Sequence, residues 1–378
     1  MKRYLFLIYL IFITIYCKSQ DSKLTNFWID KIGVNPALVG EDVTLDISLV
    51  HKTQWNSLAN KYLTENFSLD SYRPVINGGF GWGVNIQNNI EGVGNFTTTK
   101  IEPAFSYWHI FGRYAELSGG FCPGIVLKKV QNNFQFSDQI DPVLGFVYES
   151  SIQWIDTNSL SKRSYFQPRI GTAFKVFLGN DRKSRTAPKE SNYIKIGYST
   201  DFPKSPPSYS FFERSSFLIP NNNCLQILLN LRLKRYGKDA YMYFQPYYIN
   251  QYVKYNGSKS IFKSTTLGGR LFYNSLTSFL SYRFRNFNGI KNRDAISGGI
   301  TYSKNLGTLK ASNADAYLDY FFSVDVPVNG INNKNAVLAE TGISFEVGVL
   351  FKIPTRFAVD NHRNNQGHRS FKPTCPGL

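Results

Sequence analysis

Four histidines limit the acid–base and nucleophilic chemistry open to this chain of 378 residues. A serine hydrolase such as a lipase needs a serine bonded to a histidine that a third polar group orients. His51 and His109 lie in strand-like segments beside Val50 and Trp108, and no such arrangement stands out around them. A histidine facing a barrel lumen or a lipid–water interface explains both more simply. No catalytic residue is predicted.

Metal ligands are equally sparse. His362 and His368 have no acidic or cysteine partner beside them, and Cys122, Cys224 and Cys375 show no C-x-x-C spacing. The three cysteines that follow Cys17 allow at most one disulfide. No metal and no cofactor are predicted.

The sequence also lacks a nucleotide-binding loop. Gly78, Gly79 and Gly81 form a small glycine cluster before Trp82, but no helical pattern follows it, as a phosphate cradle would require. These glycines are predicted to lie in a strand or a turn. The chain is therefore predicted not to be an enzyme.

The N-terminus predicts export. Two basic residues precede an apolar run over residues 4–16, which indicates a signal peptide over residues 1–19 with cleavage before Gln20. The alternative is a lipoprotein anchored through Cys17, although the bulky Tyr16 before it fits that reading poorly.

The charge balance is strongly basic. The formal charge is +17, or +14 without the three basic residues of the signal peptide. An exported chain does not routinely meet nucleic acid, and the basic residues are scattered rather than clustered on one helix. Anionic lipid headgroups and acidic protein partners are the expected neighbours, with no nucleic acid.

The elements that would hold any functional group are strands. Beyond the signal there is no run of 18 apolar residues, so any membrane crossing falls to strands. Residues 342–354 place an apolar side chain at every second position, from Ile343 to Ile353, with Glu346 and Lys352 between them. Together with 16% aromatic residues, this pattern favours a lipid-facing barrel strand over a soluble β protein.

Similar segments recur along the mature chain. We predict an all-β, transmembrane outer-membrane β-barrel of about fourteen antiparallel strands. The predicted strands are 44–53, 63–72, 79–88, 97–110, 113–128, 165–178, 193–200, 224–235, 240–252, 264–273, 277–285, 295–304, 316–324 and 342–353.

Four long connections and a set of strand charges complete the pattern. Residues 131–144, 179–192, 201–223 and 327–338 are expected to be extracellular loops or inward-folded plugs. Charged strand residues are expected to project into the lumen and pair there, which favours a filled or narrow lumen over a selective pore. The acidic members are Asp46, Glu65, Asp70, Glu102 and Glu116, and the basic members are Arg169, Arg270, Arg283 and Arg285.

Four short motifs resemble one known family. N-P-A-L-V-G at residues 35–40, K-T-Q-W at 52–55, N-R-D-A-I-S-G-G at 292–299 and L-K-A-S-N at 309–313 occur in this order. In order and spacing they resemble the PorP/SprF family, from about residue 23 to about residue 351. The family-motif residues are Asn35, Pro36, Ala37, Gly40, Gln54 and Trp55.

The resemblance implies an outer-membrane barrel of the type IX secretion system. Such a protein helps to secrete and retain a cargo adhesin at the cell surface, or docks the periplasmic secretion machinery, and supports gliding motility in some bacteria. The alternative is an outer-membrane porin or small-solute channel. One departure is that barrel proteins commonly end on an aromatic residue, whereas here 27 residues follow Phe351.

The expected organisation has four parts. Residues 1–19 are the signal peptide, 20–43 an N-terminal periplasmic or plug segment, 44–353 the β-barrel and 354–378 a polar tail. The expected partners are a secreted cargo protein, the periplasmic secretion machinery, or both, with outer-membrane lipid around the barrel.

Overall fold

A computed structural model describes most of the chain beyond residue 23. The described residues are 24–42, 44–54, 62–75, 78–91, 96–111, 114–129, 140–141, 145–146, 162–178, 192–203, 221–236, 240–254, 261–287, 290–309, 314–328 and 343–354. The predicted signal peptide and the predicted polar tail lie outside them, as do Trp55, His362, His368 and Cys375.

Fourteen long antiparallel strands of the described chain form one closed barrel. The strands are β1 (Thr44–Gln54), β2 (Tyr62–Val75), β3 (Gly78–Glu91), β4 (Phe96–Phe111), β5 (Ala115–Lys129), β8 (Lys162–Leu178), β9 (Asn192–Asp201), β10 (Asn221–Tyr236), β11 (Ala240–Lys254), β12 (Ile261–Tyr273), β13 (Leu276–Phe287), β14 (Ile290–Leu309), β15 (Ala314–Pro327) and β16 (Ser344–Pro354). The two-residue strands β6 (Ile140–Asp141) and β7 (Gly145–Phe146) pair separately.

Each strand pairs with its neighbours along the chain, and β16 closes the barrel against β1. In that closing pair Thr44 lies opposite Pro354 and Lys52 opposite Glu346. Each of the fourteen predicted segments forms a barrel strand, and the observed strands extend beyond most of the predicted bounds. Closure leaves none of the fourteen described barrel strands with an unpaired edge.

The barrel is polar inside and apolar outside, the reverse of a soluble β-barrel. In β16, Ser344 and Glu346 are buried inside, while Phe345 and Val347 are exposed on the outer face. Trp82 and Phe105 are likewise exposed on β3 and β4. An outer face of exposed aromatic and aliphatic side chains requires lipid as its solvent.

The two ends of the barrel differ. We call the end where β1 begins and β16 ends the terminal end, and the opposite end the loop end. Three of the long connections, at 131–144, 201–223 and 327–338, join strands at the loop end. The connection at 179–192 does not: Leu178 and Asn192, which flank it, lie at the terminal end. The four connections therefore do not all lie at one end of the barrel, and most of their residues lie outside the described ranges, so their assignment as extracellular loops or inward-folded plugs stays a prediction.

Two short helical turns precede the first strand, Lys31–Val34 and the 3-10 turn Pro36–Leu38. In the part of the chain described, no helix has the length and apolar character needed to cross a membrane.

Candidate functional site

The N-terminal segment, residues 24–42, lies inside the barrel. The backbone N–H of Thr25 donates to Glu346 on β16 at 2.7 Å. On the opposite side, Asn35 Nδ2 donates to the carbonyl of Thr172 on β8 at 3.1 Å. Contacts with strands on opposite sides of a closed barrel can be made only from within its lumen.

The N-P-A-L-V-G motif forms the tightest part of this segment. The Asn35 side chain accepts from the backbone N–H of Ala37 at 3.0 Å and so caps the 3-10 turn that Pro36 begins. Gly40 has a φ of 71°, the left-handed conformation that glycine adopts without strain. Its N–H donates to Asp70 on β2 at 3.0 Å. The motif thus turns the chain from the lumen towards the first strand.

Three strand glycines make room for this motif. A β-carbon added to Gly81 would overlap the carbonyl oxygen of Val39, and one added to Gly120 would overlap the backbone of Ala37. A β-carbon at Gly171 would overlap the Asn35 side chain. The N-terminal segment therefore packs directly onto the backbone of β3, β5 and β8.

Hydrogen bonds from the barrel wall hold the end of the motif. The indole N–H of Trp108 and the hydroxyl of Ser106, both on β4, donate to the carbonyl of Val39 at 2.9 Å and 2.7 Å. The Ser199 hydroxyl on β9 donates to the carbonyl of Val34 at 2.8 Å. These bonds satisfy carbonyls that would otherwise be buried without a donor.

One buried charge cluster holds the start of the segment. Lys52 Nζ lies 2.9 Å from Asp325 Oδ2 and 3.8 Å from Glu346 Oε2. The same carboxylates accept hydrogen bonds from Thr25 and Asn26. The cluster therefore joins β1, β15 and β16 to the N-terminal segment.

A second cluster centres on Arg169 of β8. Its guanidinium pairs with Asp201 and lies 3.2 Å from Glu102 Oε1. It also donates to the carbonyls of Ile32 at 3.0 Å and Gly33 at 2.7 Å. One buried arginine thus neutralises two strand carboxylates and caps the helical turn Lys31–Val34 of the N-terminal segment.

A third cluster lies towards the terminal end. Lys31 Nζ lies 2.7 Å from Asp46, 3.1 Å from Asp42 and 3.6 Å from Asp70. Burial by itself lowers the pKa of Lys31, but the three carboxylates outweigh it and raise that pKa well above its usual value. Lys31 stays charged and ties the segment to β1 and β2.

The pKa values of Asp30 and Glu41 are shifted in opposite directions. Burial raises the pKa of Asp30 to about 6, and the nearby Glu102 adds to this effect. Burial also acts to raise the pKa of Glu41, but its ion pair with Lys195, 2.8 Å away, lowers the pKa overall. The pKa of Asp30 therefore lies closer to neutral pH than that of an ordinary carboxyl.

The predicted lumen charges are largely in place. Asp46, Asp70 and Glu102 are buried inside, and Glu116 points inward and pairs with Lys175 at 3.6 Å. Of the predicted arginines, Arg169 makes the ion pairs just described, and Arg285 is buried while Arg283 is half-buried.

Two residues depart from that prediction. Glu65 points outward and is exposed, so its placement in the lumen was wrong; its carboxylate lies 3.9 Å from Nδ1 of the outward-facing His51. Arg270 points inward but stacks on aromatic rings instead of pairing with an acid. His109 also faces outward, next to Phe111, so both strand histidines lie on the lipid-facing surface.

The family-motif residues fall mostly inside the barrel. Asn35, Pro36, Ala37 and Gln54 are buried. The structure brings the first three together with Gly40 against the wall, while Gln54 ends β1 at the loop end. Among the residues described, no group of three or more metal-ligating side chains is found, and Cys122 and Cys224 are buried and form no disulfide with each other.

Comparison with known proteins identifies one matching family and several solved structures of similar fold. A model of the family described as type IX secretion system membrane protein PorP/SprF matches residues 16–318. No curated protein matches the chain.

The similar solved structures include three channels or transporters. The toluene transporter TbuX of Ralstonia pickettii is 10% identical, with 85% of this chain and 92% of that chain covered and a TM-score of 0.41. The monoaromatic hydrocarbon channel CymD is 10% identical, with 86% and 91% covered and a TM-score of 0.42. The COG4313 outer membrane channel from Pseudomonas putida F1 is 11% identical, with 82% and 95% covered and a TM-score of 0.37. These likenesses carry no argument about ligands.

Proposed function

The chain belongs to the PorP/SprF family of type IX secretion system membrane proteins, and from this premise we propose that it is a closed anchor rather than a channel. It is a β-barrel of the outer membrane. In this proposal its rims bind a secreted cargo adhesin at the cell surface or the periplasmic secretion machinery, and no substrate passes through its lumen.

The observation that carries the proposal is the lumen itself. The N-terminal segment crosses it and is held by three charge clusters, around Lys31, Lys52 and Arg169. Removing one partner from a buried ion pair costs about 3–5 kcal/mol, so displacing the whole segment would be strongly unfavourable. A barrel stabilised in this way is suited to rigid attachment.

The alternative function, a porin or small-solute channel, requires a continuous water-filled path through the barrel. Backbone packing of the N-terminal segment on Gly81, Gly120 and Gly171 argues against such a path on the side of β3 to β8. The closed anchor and the porin therefore differ in whether ions can pass through the lumen, which a conductance measurement detects.

The proposal is tested by deleting the gene and restoring it with the wild-type chain. We expect the deletion to reduce the secretion or surface retention of a type IX cargo, and the wild-type chain to restore it. Unchanged secretion and retention after deletion, with the barrel proven to be expressed in the parent, would contradict the proposal.

A cross-linking experiment separates the two kinds of partner. Tyr114 directly precedes β5 and Lys129 is its last residue, so the two lie at opposite ends of the strand, and both are exposed. A photoreactive residue at Lys129 reports on partners at the loop end, and one at Tyr114 reports on the terminal end. Barrels of this kind carry their longer connections on the extracellular side, so we take the loop end as extracellular. Cross-links only at the loop end would then favour a surface cargo, and cross-links only at the terminal end would favour the secretion machinery.

A further inference from the structure

A cavity of 190 Å³ lies inside the barrel between the N-terminal segment and the strands β9 to β16, β1 and β2. A buried water needs about 10–15 Å³ of cavity volume, so the space holds on the order of ten waters or one small organic molecule. Aromatic side chains supply much of the wall, and they come from both the N-terminal segment and the strands. They are Phe27, Trp28, Tyr193, Tyr243, Tyr247, Phe272 and Phe321.

Four cations also line the cavity, and three of them are neutralised. Lys31 lies 2.7 Å from Asp46, Lys195 lies 2.8 Å from Glu41, and Lys352 lies 3.1 Å from Asp319. The fourth cation is Arg270. Among the described residues, no carboxylate lies within ion-pair distance of its guanidinium.

Aromatic rings hold the guanidinium of Arg270 in place, but not all of its N–H groups have a hydrogen-bond acceptor. Its central carbon lies 4.1 Å from the Trp28 ring centroid and 4.6 Å from that of Phe272. Nη1 donates to Gln245 Oε1 at 3.1 Å, whereas the buried Nε has no hydrogen-bond partner among the described residues. Nearly every buried donor in proteins is paired, so an unpaired one beside a cavity indicates a missing acceptor.

The surroundings define the acceptor. A planar guanidinium with its edge free binds a carboxylate through two parallel hydrogen bonds. Flat aromatic walls next to it accept an apolar body, since such rings pack edge-to-face or offset against a second ring. Phe27 and Trp28 already pack in this way, with centroids 4.9 Å apart, and Phe27 does the same with Tyr247 at 4.9 Å.

We propose that this cavity binds an organic carboxylate with an apolar, ring-sized body, with the carboxylate on Arg270 and the body against Phe27, Trp28 and Phe272. The ligand can be a free aromatic acid or the C-terminal carboxylate of a peptide ending in an aromatic residue. Because Phe27 and Trp28 belong to the N-terminal segment, binding would also stabilise that segment inside the barrel.

The test uses the full-length barrel in detergent, with phenylacetate as the free acid and phenylacetamide as its uncharged match. A tripeptide ending in phenylalanine, with its C-terminal amide as the match, represents the peptide source. Isothermal titration calorimetry measures affinity, and thermal unfolding checks that each variant is folded. Phenylacetate is expected to bind and raise the melting temperature, and phenylacetamide to bind at least tenfold more weakly. If the tripeptide binds but phenylacetate does not, the source is a polypeptide.

Variants then assign the binding to the arginine. Arg270→Gln is expected to reduce carboxylate affinity at least tenfold, and Arg270→Lys to keep part of it, because lysine retains the charge but loses the planar fork. Arg73→Gln changes an exposed arginine and should leave binding unchanged. Carboxylates and amides that bind wild type equally, or not at all, would overturn the proposal. These binding measurements do not depend on cargo retention, so the carboxylate proposal can fail while the proposed secretion role stands, and the reverse.

Discussion

The ammonium of Lys52 donates to Asp325 Oδ2 at 2.9 Å across 273 positions of sequence, with side chains that are 1% and 5% exposed. The pair joins the first strand of the barrel to the penultimate one. Because Thr25 bonds to both residues, it also fastens the N-terminal segment to the wall.

Replacing Lys52 should therefore destabilise the whole barrel. Lys52→Ala leaves Asp325 and Glu346 buried without their cation, and we expect a loss of about 3 kcal/mol in the free energy of unfolding. Urea unfolding in lipid vesicles, followed by tryptophan fluorescence, measures it. Lys304→Ala, at an exposed position on β14, should change stability by less than about 0.5 kcal/mol. Equal effects of the two substitutions would show that the buried cluster contributes nothing.

Adjacent glycines on β5 offer a matched pair for the packing of the N-terminal segment. A side chain at Gly120 would overlap the backbone of Pro36 and Ala37, whereas one at Gly119 meets nothing within 4 Å. Gly120→Val should destabilise the barrel by about 2 kcal/mol and expose residues 24–42 to protease. Gly119→Val should do neither. Protease resistance of both variants equal to that of wild type would contradict this packing.

Asp30 gives the barrel a predicted pH dependence. Its pKa is raised from 3.8 to about 6, so the folded state binds more protons than the unfolded state between these values. The protonated Asp30 carboxyl therefore contributes its full stabilisation below pH 3.8. This stabilisation decreases as the pH rises towards 6, and it is lost above pH 6. Lowering the pH from 7 to 5 should add about 1 kcal/mol through Asp30.

The variant Asp30→Asn isolates that contribution. Asparagine can still cap the backbone N–H of Gly33, to which Asp30 now accepts at 2.9 Å, but it does not titrate. The difference in unfolding free energy between wild type and variant should therefore change between pH 7 and pH 5. A constant difference would show that Asp30 titrates as an ordinary exposed carboxyl.

The barrel was predictable because its strands alternate regularly and each is bounded by turn residues. Because residues two apart on a strand face the same side, the alternation also predicts which side each side chain faces. Glu65 lies two and four positions before Phe67 and Leu69, which face outward. This alternation, applied strictly, would have placed Glu65 outside. Inward-facing glycines such as Gly120 and Gly171 were a second available signal, since they mark places where another backbone approaches.

The lumen contacts could not be read from the sequence. Arg270 was expected to meet a carboxylate, but its partners are Trp28 and Phe272, and only the path of the N-terminal segment brings Trp28 there. Likewise, Arg169 bonds to the carbonyls of Ile32 and Gly33, a contact that depends on backbone position rather than residue type. Such pairings follow from tertiary structure alone.

Single-channel conductance of the purified full-length chain in a planar bilayer tests the central claim most directly, namely that the N-terminal segment closes the lumen. We predict no steady ion current from the wild-type barrel and a measurable current from a variant that lacks residues 24–42, in which the segment is absent from the lumen. A steady, ohmic current from the wild-type barrel, equal to that of the variant, would contradict the claim and favour a porin.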